Sequence, residues 1–224
     1  ADAVKALAAP ATVDFSEVVY ESETFPNSFK SNANLAGIVF PQNVTKTASA
    51  AFQKTGMTSV TLLKGISYGS NAFDSCASLV SVTVEEGVTE IGNYMFQNTK
   101  LTDVTLPNSV TKIGANAFNG CSLTTINFGQ GVKTIENSAF QNCGELTEII
   151  LPDATETLGQ NAFGDCPKLT KISLGKNMKT LEAYCFVGYS KGCPLLGDII
   201  CRATTPPTLK DDYGTGPFGG GGSS

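Results

Sequence analysis

Seven cysteines are the most reactive side chains in this sequence: Cys76, Cys121, Cys143, Cys166, Cys185, Cys193 and Cys201. Thiols at the right spacing form disulfides, bind metals as thiolates or act as nucleophiles. The spacing here argues against a metal. No Cys-x-x-Cys occurs, and Cys121, Cys143 and Cys166 follow one another at 22 and 23 residues, so they do not converge on a tetrahedron. Histidine is absent, which removes Ser-His-Asp and Cys-His catalysis and every His-ligated metal site. Glu85-Glu86 and Asp211-Asp212 are adjacent acid pairs. Neighbours on a strand point apart, whereas a glycosidase needs two carboxylates about 5–10 Å apart across a cleft, so both pairs read as solvated. The string from Gly214 to Gly219 matches G-x-G-x-x-G, but it contains Pro217 and runs into a Gly-Ser tail where a helix should start. It is not read as a dinucleotide site. The chain is therefore expected to be no enzyme, with no catalytic residue, metal or cofactor.

The rest of the composition narrows the class further. Of 224 residues, 41% are hydrophobic and 16% charged, as in a globular protein. Lys+Arg total 15 against 20 Asp+Glu, a net charge of −5 with no basic surplus for phosphates. Nucleic-acid binding is not expected. No stretch reaches the roughly 20 apolar residues that cross a bilayer, and no signal peptide opens the chain. The first residues, ADAVKALAAPAT, fit a chain that follows a removed export signal or an arbitrary start. The tail FGGGGSS reads as a flexible linker. Trp is absent and 25 residues are Thr, which favours exposed β-structure.

Phenylalanine sets the frame that must position everything else. Phe29, Phe52, Phe73, Phe96, Phe118, Phe140, Phe163 and Phe186 recur at intervals of 23, 21, 23, 22, 22, 23 and 23 residues. After each comes a short polar stretch and then L-x-x-(I/V)-x-(L/F/V); one unit reads LTDVTLPNSVTKIGANAF and the next LTTINFGQGVKTIENSAF. A period of 20–29 with this leucine pattern is the mark of a leucine-rich repeat solenoid. The expected fold is a parallel superhelix of about eight turns of 22–23 residues, each with one short strand and one short helical or 3₁₀ turn. In one unit Leu101, Val104 and Leu106 face inward while Thr105 faces out. Pro107 and Asn108 end the strand, and Val110 and Ile113 return to the core. The helical turn is placed at Asn116-Ala117-Phe118. Four residues before the Phe, Gly69, Gly92, Gly114 and Gly159 share a position with Ala48, Glu136 and Glu182. A position that required positive φ would not accept Glu, so local crowding is the expected reason for glycine.

The cysteines fall into the same frame. Cys76, Cys121, Cys143 and Cys166 each lie three residues after a repeat Phe. Cys185 stands where other turns carry Ala, and Cys201 stands at a strand core position. They read as buried free thiols. Cys193, in the insertion VGYSKGCPL after Phe186, is the least constrained, and a disulfide to Cys185 or Cys201 stays open. That insertion delays the strand at Ile199-Ile200-Cys201 by about four residues, and Pro206-Pro207 stops the pattern. Residues 1–28 are expected to be an N-terminal cap or linker, 29–207 the solenoid, and 208–224 a C-terminal cap remnant and tail.

The AF core, the trailing Cys and the I-x-L-P strand end resemble the BspA-like leucine-rich repeats over about residues 29–207. These are surface proteins of host-associated anaerobic bacteria and some protists. The resemblance implies a right-handed solenoid outside the cell, with roles in adhesion, co-aggregation and binding of host matrix proteins, and no catalytic residues.

A ligand must touch residues the repeat leaves unconstrained. Two outward columns run along the strands: Gly37, Ser59, Ser81, Asp103, Thr125, Glu148, Lys171, Asp198, and Val39, Thr61, Thr83, Thr105, Asn127, Ile150, Ser173, Ile200. Ile150 and Ile200 have no core reason to be apolar there, and charge gathers in the C-terminal half. The expected protein-binding face is Asp103, Thr105, Thr125, Asn127, Glu148, Ile150, Lys171, Ser173, Asp198 and Ile200. Three functions compete. They are an extracellular module binding a host or neighbouring-cell protein, a passive spacer with indifferent columns, and a glycan binder using Tyr68, Tyr94, Tyr184, Tyr189 or Tyr213.

Overall fold

The structure is a computed structural model and describes residues 7–187, 190, 192–210 and 217. It is a parallel β-solenoid of about eight turns. Each coil passes its backbone hydrogen bonds to the next at three places, and the sequence explains each of them.

The first place is the strand face. In Asp103–Thr105 the alternation of the sequence becomes alternation of burial: Val104 is 2% exposed, and its neighbours point to solvent. This strand pairs in parallel with Thr125–Asn127, in the register Asp103 to Thr125 and Thr105 to Asn127. Ser59–Leu62 pairs with Ser81–Val84. Glu148–Ile150 pairs with Lys171–Leu174, and that with Asp198–Cys201. Ala11–Asp14 adds an outer strand to Leu35–Val39. The two outward columns therefore run in the expected register.

The second place is a ribbon of two-residue strands. Glu90–Ile91, Lys112–Ile113, Thr134–Ile135, Thr157–Leu158, Thr180–Leu181 and Thr208–Leu209 form one six-stranded sheet. From Ile91 to Leu181 the Ile or Leu of each pair is buried and its partner faces out. Thr24–Phe25 and Lys46–Thr47 pair in the same way, and Lys46 bridges to Ser67.

The third place corrects an expectation. No helix or 3₁₀ turn occurs among the described residues. At Asn116-Ala117-Phe118 alternate N–H groups point to the next coil: Asn116 donates to Asn137 O at 3.0 Å, Phe118 to Ala139 O at 2.8 Å and Gly120 to Gln141 O at 2.9 Å. The residues between fold their N–H back within the coil, Ala117 to Gly114 O and Asn119 to Asn116 O. A helix would aim every N–H along its own axis and leave the neighbouring coil unpaired. The alternation needs positive φ two residues before and after the Phe, as at Asn116 (55°) and Gly120 (72°). Among the described residues 13 non-glycine residues are held this way, and six of them are Asn or Asp, the types that tolerate it best. The glycine four residues before the Phe is a different case. At Gly69 an added Cβ would lie 2.7 Å from the carbonyl carbon of Ala48, so crowding is the reason for glycine there.

Between the three ladders lies the core. The rings of Phe25, Phe52, Phe73, Phe96, Phe118, Phe140 and Phe163 stack in one column, with centroids 5.2–5.8 Å apart and planes within 27°. Phe15 closes the N-terminal end edge-on against Phe25 and Phe29. Beside the ring column runs a polar seam. The thiols of Cys76, Cys121, Cys143 and Cys166 donate to the carbonyls of Phe52, Phe96, Phe118 and Phe140 at 3.1–3.3 Å. Thr55 and Thr99 occupy the same slot and bond the carbonyls of Phe52 and Phe96. The slot selects a small side chain with one donor.

Truncating a ring in mid-column leaves a cavity that the ladders on three sides do not let collapse. Phe118→Ala should therefore cost roughly 3–5 kcal/mol, while the exposed Thr105→Ala should stay within about 0.5 kcal/mol. Urea unfolding of the two variants checks this, and equal losses would contradict the inward placement of the ring.

Candidate functional site

The strand face is not one continuous sheet. Among the described residues no ladder joins Leu35–Val39 to Ser59–Leu62, Ser81–Val84 to Asp103–Thr105, or Thr125–Asn127 to Glu148–Ile150. The spacing from repeat Phe to the first inward residue of the strand accounts for these breaks. It is six residues to Leu35, five to Met57, six to Leu79, five to Leu101 and Leu123, and six to Leu146 and Leu169. Each break falls where this spacing changes by one. The condition is not sufficient, since Met57 and Leu79 also differ and their strands stay paired.

The break after Thr125–Asn127 opens a groove of about 830 Å³. Its walls carry Asp103, Thr105, Thr125, Asn127, Glu148 and Ile150, six of the residues expected on the binding face. Lys171, Ser173, Asp198 and Ile200 do not line it. The groove also brings in Phe128, Pro152, Asp153 and Arg202, none of which was expected on the binding face. Phe128 is 5% exposed and packs edge-on against Phe140, so it stiffens the floor. Arg202 closes one end. Its Nη2 donates to Leu151 O at 2.9 Å and its Nε to Leu174 O at 3.2 Å, and its Nη1 lies 3.2 Å from Asp153 Oδ1. One side chain thus ties the last strand to the two coils before it. It stands at the strand-end position where earlier coils carry Pro107, Pro152 or Gly175, a position the repeat marks only as the end of a strand.

The ten expected residues fare differently. Ile150 is the most exposed large apolar side chain of the face, at 59%, and Ile200 stands at 44%. Ser173 departs from its expected outward placement, for it is only 8% exposed. It is in register between Ile150 and Ile200, and the two larger side chains cover it. Asp103 accepts a hydrogen bond from Thr102 Oγ1 at 3.0 Å. Lys171 and Glu148 form an ion pair at 2.8 Å, which holds the Lys171 ammonium pKa above its usual value.

That pair is one of a set. Lys168 meets Glu145, Lys176 meets Asp153 and Lys179 meets Glu156, always across 23 residues and at 2.6–3.1 Å. The coil of Phe140 supplies the acids and the coil of Phe163 the lysines. The charge gathered in this half is therefore largely spoken for within the protein.

Other candidates resolve plainly. Tyr68 is buried and its hydroxyl accepts a hydrogen bond from Leu63 N at 3.1 Å, so it offers no sugar platform. Tyr94 is 38% exposed. Tyr189, Tyr213, Asp211-Asp212 and the Gly214–Gly219 string, apart from Pro217, lie outside the described residues. Among the described residues no three of Cys, Asp and Glu come together as metal ligands, and no helix is long and apolar enough to cross a membrane.

All seven cysteines are free thiols. Cys201 departs from its expected core position and is exposed, because no further described coil covers the terminal strand Asp198–Cys201, exposed along its whole length. Burial raises the thiol pKa of Cys121 to about 11 and of Cys185 to about 12, and lifts the Tyr68 phenol to about 12.

A family profile described as the BspA type leucine rich repeat region matches in six copies, over residues 13–68 and 66–192. The chain belongs to this BspA-type family. A leucine rich cell surface protein from Faecalibacterium prausnitzii is similar in fold, with a TM-score of 0.58 at 22% identity over 86% of this chain. The chain spans 60% of that protein's length. A T. pallidum leucine rich repeat protein aligns at 21% identity over 84% of this chain and 73% of its own, with a TM-score of 0.47. No curated protein matches the sequence.

Two outcomes follow. The contribution of each raised pKa is fully present below the unfolded value and is lost as pH rises through the folded one. Cys121 thus loses its share between pH 9.0 and about 11, and Tyr68 between 10.0 and about 12. Melting temperature should fall progressively above pH 9, and Cys121→Thr, which keeps a donor in the slot, should make that fall shallower. Separately, Arg202→Ala should weaken the last coils by about 1–2 kcal/mol. Amide exchange should then speed up in Lys171–Leu174 and Asp198–Cys201 but not in Ser81–Val84.

Proposed function

We propose that this chain is a non-enzymatic, extracellular interaction module of a bacterial surface protein, which binds a protein of the host or of a neighbouring cell through its strand face. In this reading residues 29–207 are the presenting solenoid, 1–28 an N-terminal cap or linker, and 208–224 a C-terminal cap remnant and tail. The observation that carries this reading is the groove beside Ile150. It is a recess at one of the three breaks in the strand face, walled by Thr125, Asn127 and Glu148, with an exposed isoleucine at its edge. An apolar side chain ringed by polar groups is the usual anatomy of a small contact patch. Membership of a family that includes surface proteins supports the location, and the likeness to a cell surface protein agrees with it.

A passive spacer is the second reading. It is favoured by the lysine–carboxylate pairs, which satisfy the charges of two coils without any partner.

Binding of the purified chain to immobilised extracellular-matrix proteins and to a glycan array separates the two. Ile150→Asp should lower binding to the selected protein by roughly tenfold or more while leaving the melting temperature unchanged. Lys171→Glu, which sets two acids side by side at Glu148, serves as the charge control and should have the smaller effect. A spacer would bind nothing, and a binder indifferent to Ile150→Asp would place the contact elsewhere.

A further inference from the structure

Cys193 lies seven residues after Phe186, where the other seam cysteines lie three after theirs. Even so, it occupies the next rung of the seam. Its thiol donates to Phe163 O at 3.2 Å, as the Cys166 thiol does to Phe140 O at 3.3 Å. The chain reaches that rung through an enlarged loop, held by Asp165 Oδ1, which accepts hydrogen bonds from the N–H of Ser190 and of Gly192, both at 2.9 Å. The regular rungs carry no such insertion. Their backbone is fixed by axial bonds such as Asn142 N to Gly164 O at 3.0 Å. Seam side chains on neighbouring rungs come within reach of one another, as Thr55 Oγ1 and Cys76 Sγ do at 3.3 Å and Thr99 Oγ1 and Cys121 Sγ do at 3.3 Å.

Access differs as well. Cys76, Cys121, Cys143 and Cys166 are buried, but Cys193 is half-buried. It lines a cavity of about 340 Å³ at the C-terminal end of the solenoid, together with Phe186, Leu196 and Ile199. The neighbouring Cys166 thiol also lowers the Cys193 pKa against the opposing effect of burial, whereas the Cys166 pKa is raised.

We propose that Cys193 and Cys166 are a reversible dithiol–disulfide pair, in which Cys193 is the attacking thiol and Cys166 the resolving one, and that its oxidant is a low-molecular-weight disulfide entering this cavity. The Cys193 thiolate attacks one sulfur of the small disulfide, the S–S bond breaks, and one small thiolate leaves and takes up a proton. The Cys166 thiol, as it gives up its proton, attacks the Cys193 sulfur of the mixed disulfide and expels the second small thiol. Two protein thiols are oxidised to one disulfide, and the small disulfide is reduced to two thiols. The product staples the enlarged loop to the preceding coil.

The test uses the whole chain with the exposed thiol removed by Cys201→Ser, leaving six of the seven thiols. The folded protein is incubated with hydroxyethyl disulfide, unfolded, alkylated and weighed. The expected result is a fall from six alkylated thiols to four, a cross-linked peptide joining Cys166 to Cys193, and recovery of all six with dithiothreitol. Adding Cys166→Ser should stop the reaction at a single mixed disulfide on Cys193. Adding Cys193→Ser instead should leave every thiol reduced. Six alkylated thiols after incubation, a cross-link between any other pair, or thiol loss in the Cys193→Ser protein would each overturn the assignment.

Discussion

Every coil of this solenoid must hand its backbone donors and acceptors to the next one, and the rest of the structure depends on that axial hydrogen bonding. Two of the three ladders meet the demand with ordinary strands. The third must turn a corner around a buried Phe while still pointing alternate N–H groups down the axis, as Asn116, Phe118 and Gly120 do. Only alternation between right- and left-handed residues does both. Left-handed backbone costs an ordinary residue about 1–2 kcal/mol, so the corner is held by the ring beneath it and by the bonds it makes to the coils on either side. The ring column and the strained corner are thus one device: the ladder sets the rise, and the rings stack beneath it with centroids 5.2–5.8 Å apart.

Stacking of near-identical units raises a problem of register, because any coil could sit on any other. The ring column does not resolve it, since it repeats in every unit. The charges do. The Phe140 coil presents Glu145, Glu148, Asp153 and Glu156 at the positions where the Phe163 coil presents Lys168, Lys171, Lys176 and Lys179. Exposed pairs of this kind contribute only about 0–1 kcal/mol each. Their value lies in the alternatives they disfavour: stacking the acidic coil on a copy of itself would set four carboxylates against four.

Much of this was legible beforehand. The Phe interval gave the number of coils, the alternation around Val104 gave the inward set, and Cys121, Cys143 and Cys166 marked a buried seam because they kept step with the rings. The left-handed corners were not legible. The sequence fills them with Tyr94, Lys54 and Ala50 as readily as with Asn116, since the neighbouring coils impose the conformation and the residue type only eases it. Ser173 was misplaced for a related reason. Outwardness was inferred from strand parity, which says nothing of the side chains in register on either side. Arg202 stands where earlier coils carry Pro or Gly, and periodicity marks that position only as the end of a strand.

The groove shows how such a fold departs from its own regularity. One residue more or fewer between ring and strand leaves the ring column and the two-residue ribbon intact, since both are anchored elsewhere in the coil. The mismatch has to be absorbed on the strand face, and there the ladder parts between Thr125–Asn127 and Glu148–Ile150. The interior tolerates no such change, because a shifted Phe would leave a void that adjacent coils could not fill. Variation in loop length is thereby steered toward the surface that can use it. The same reasoning applies to the insertion after Phe186. Four extra residues leave Cys193 on its rung and the Asp198–Cys201 strand in register with Lys171–Leu174, and the surplus chain becomes the wall of a cavity.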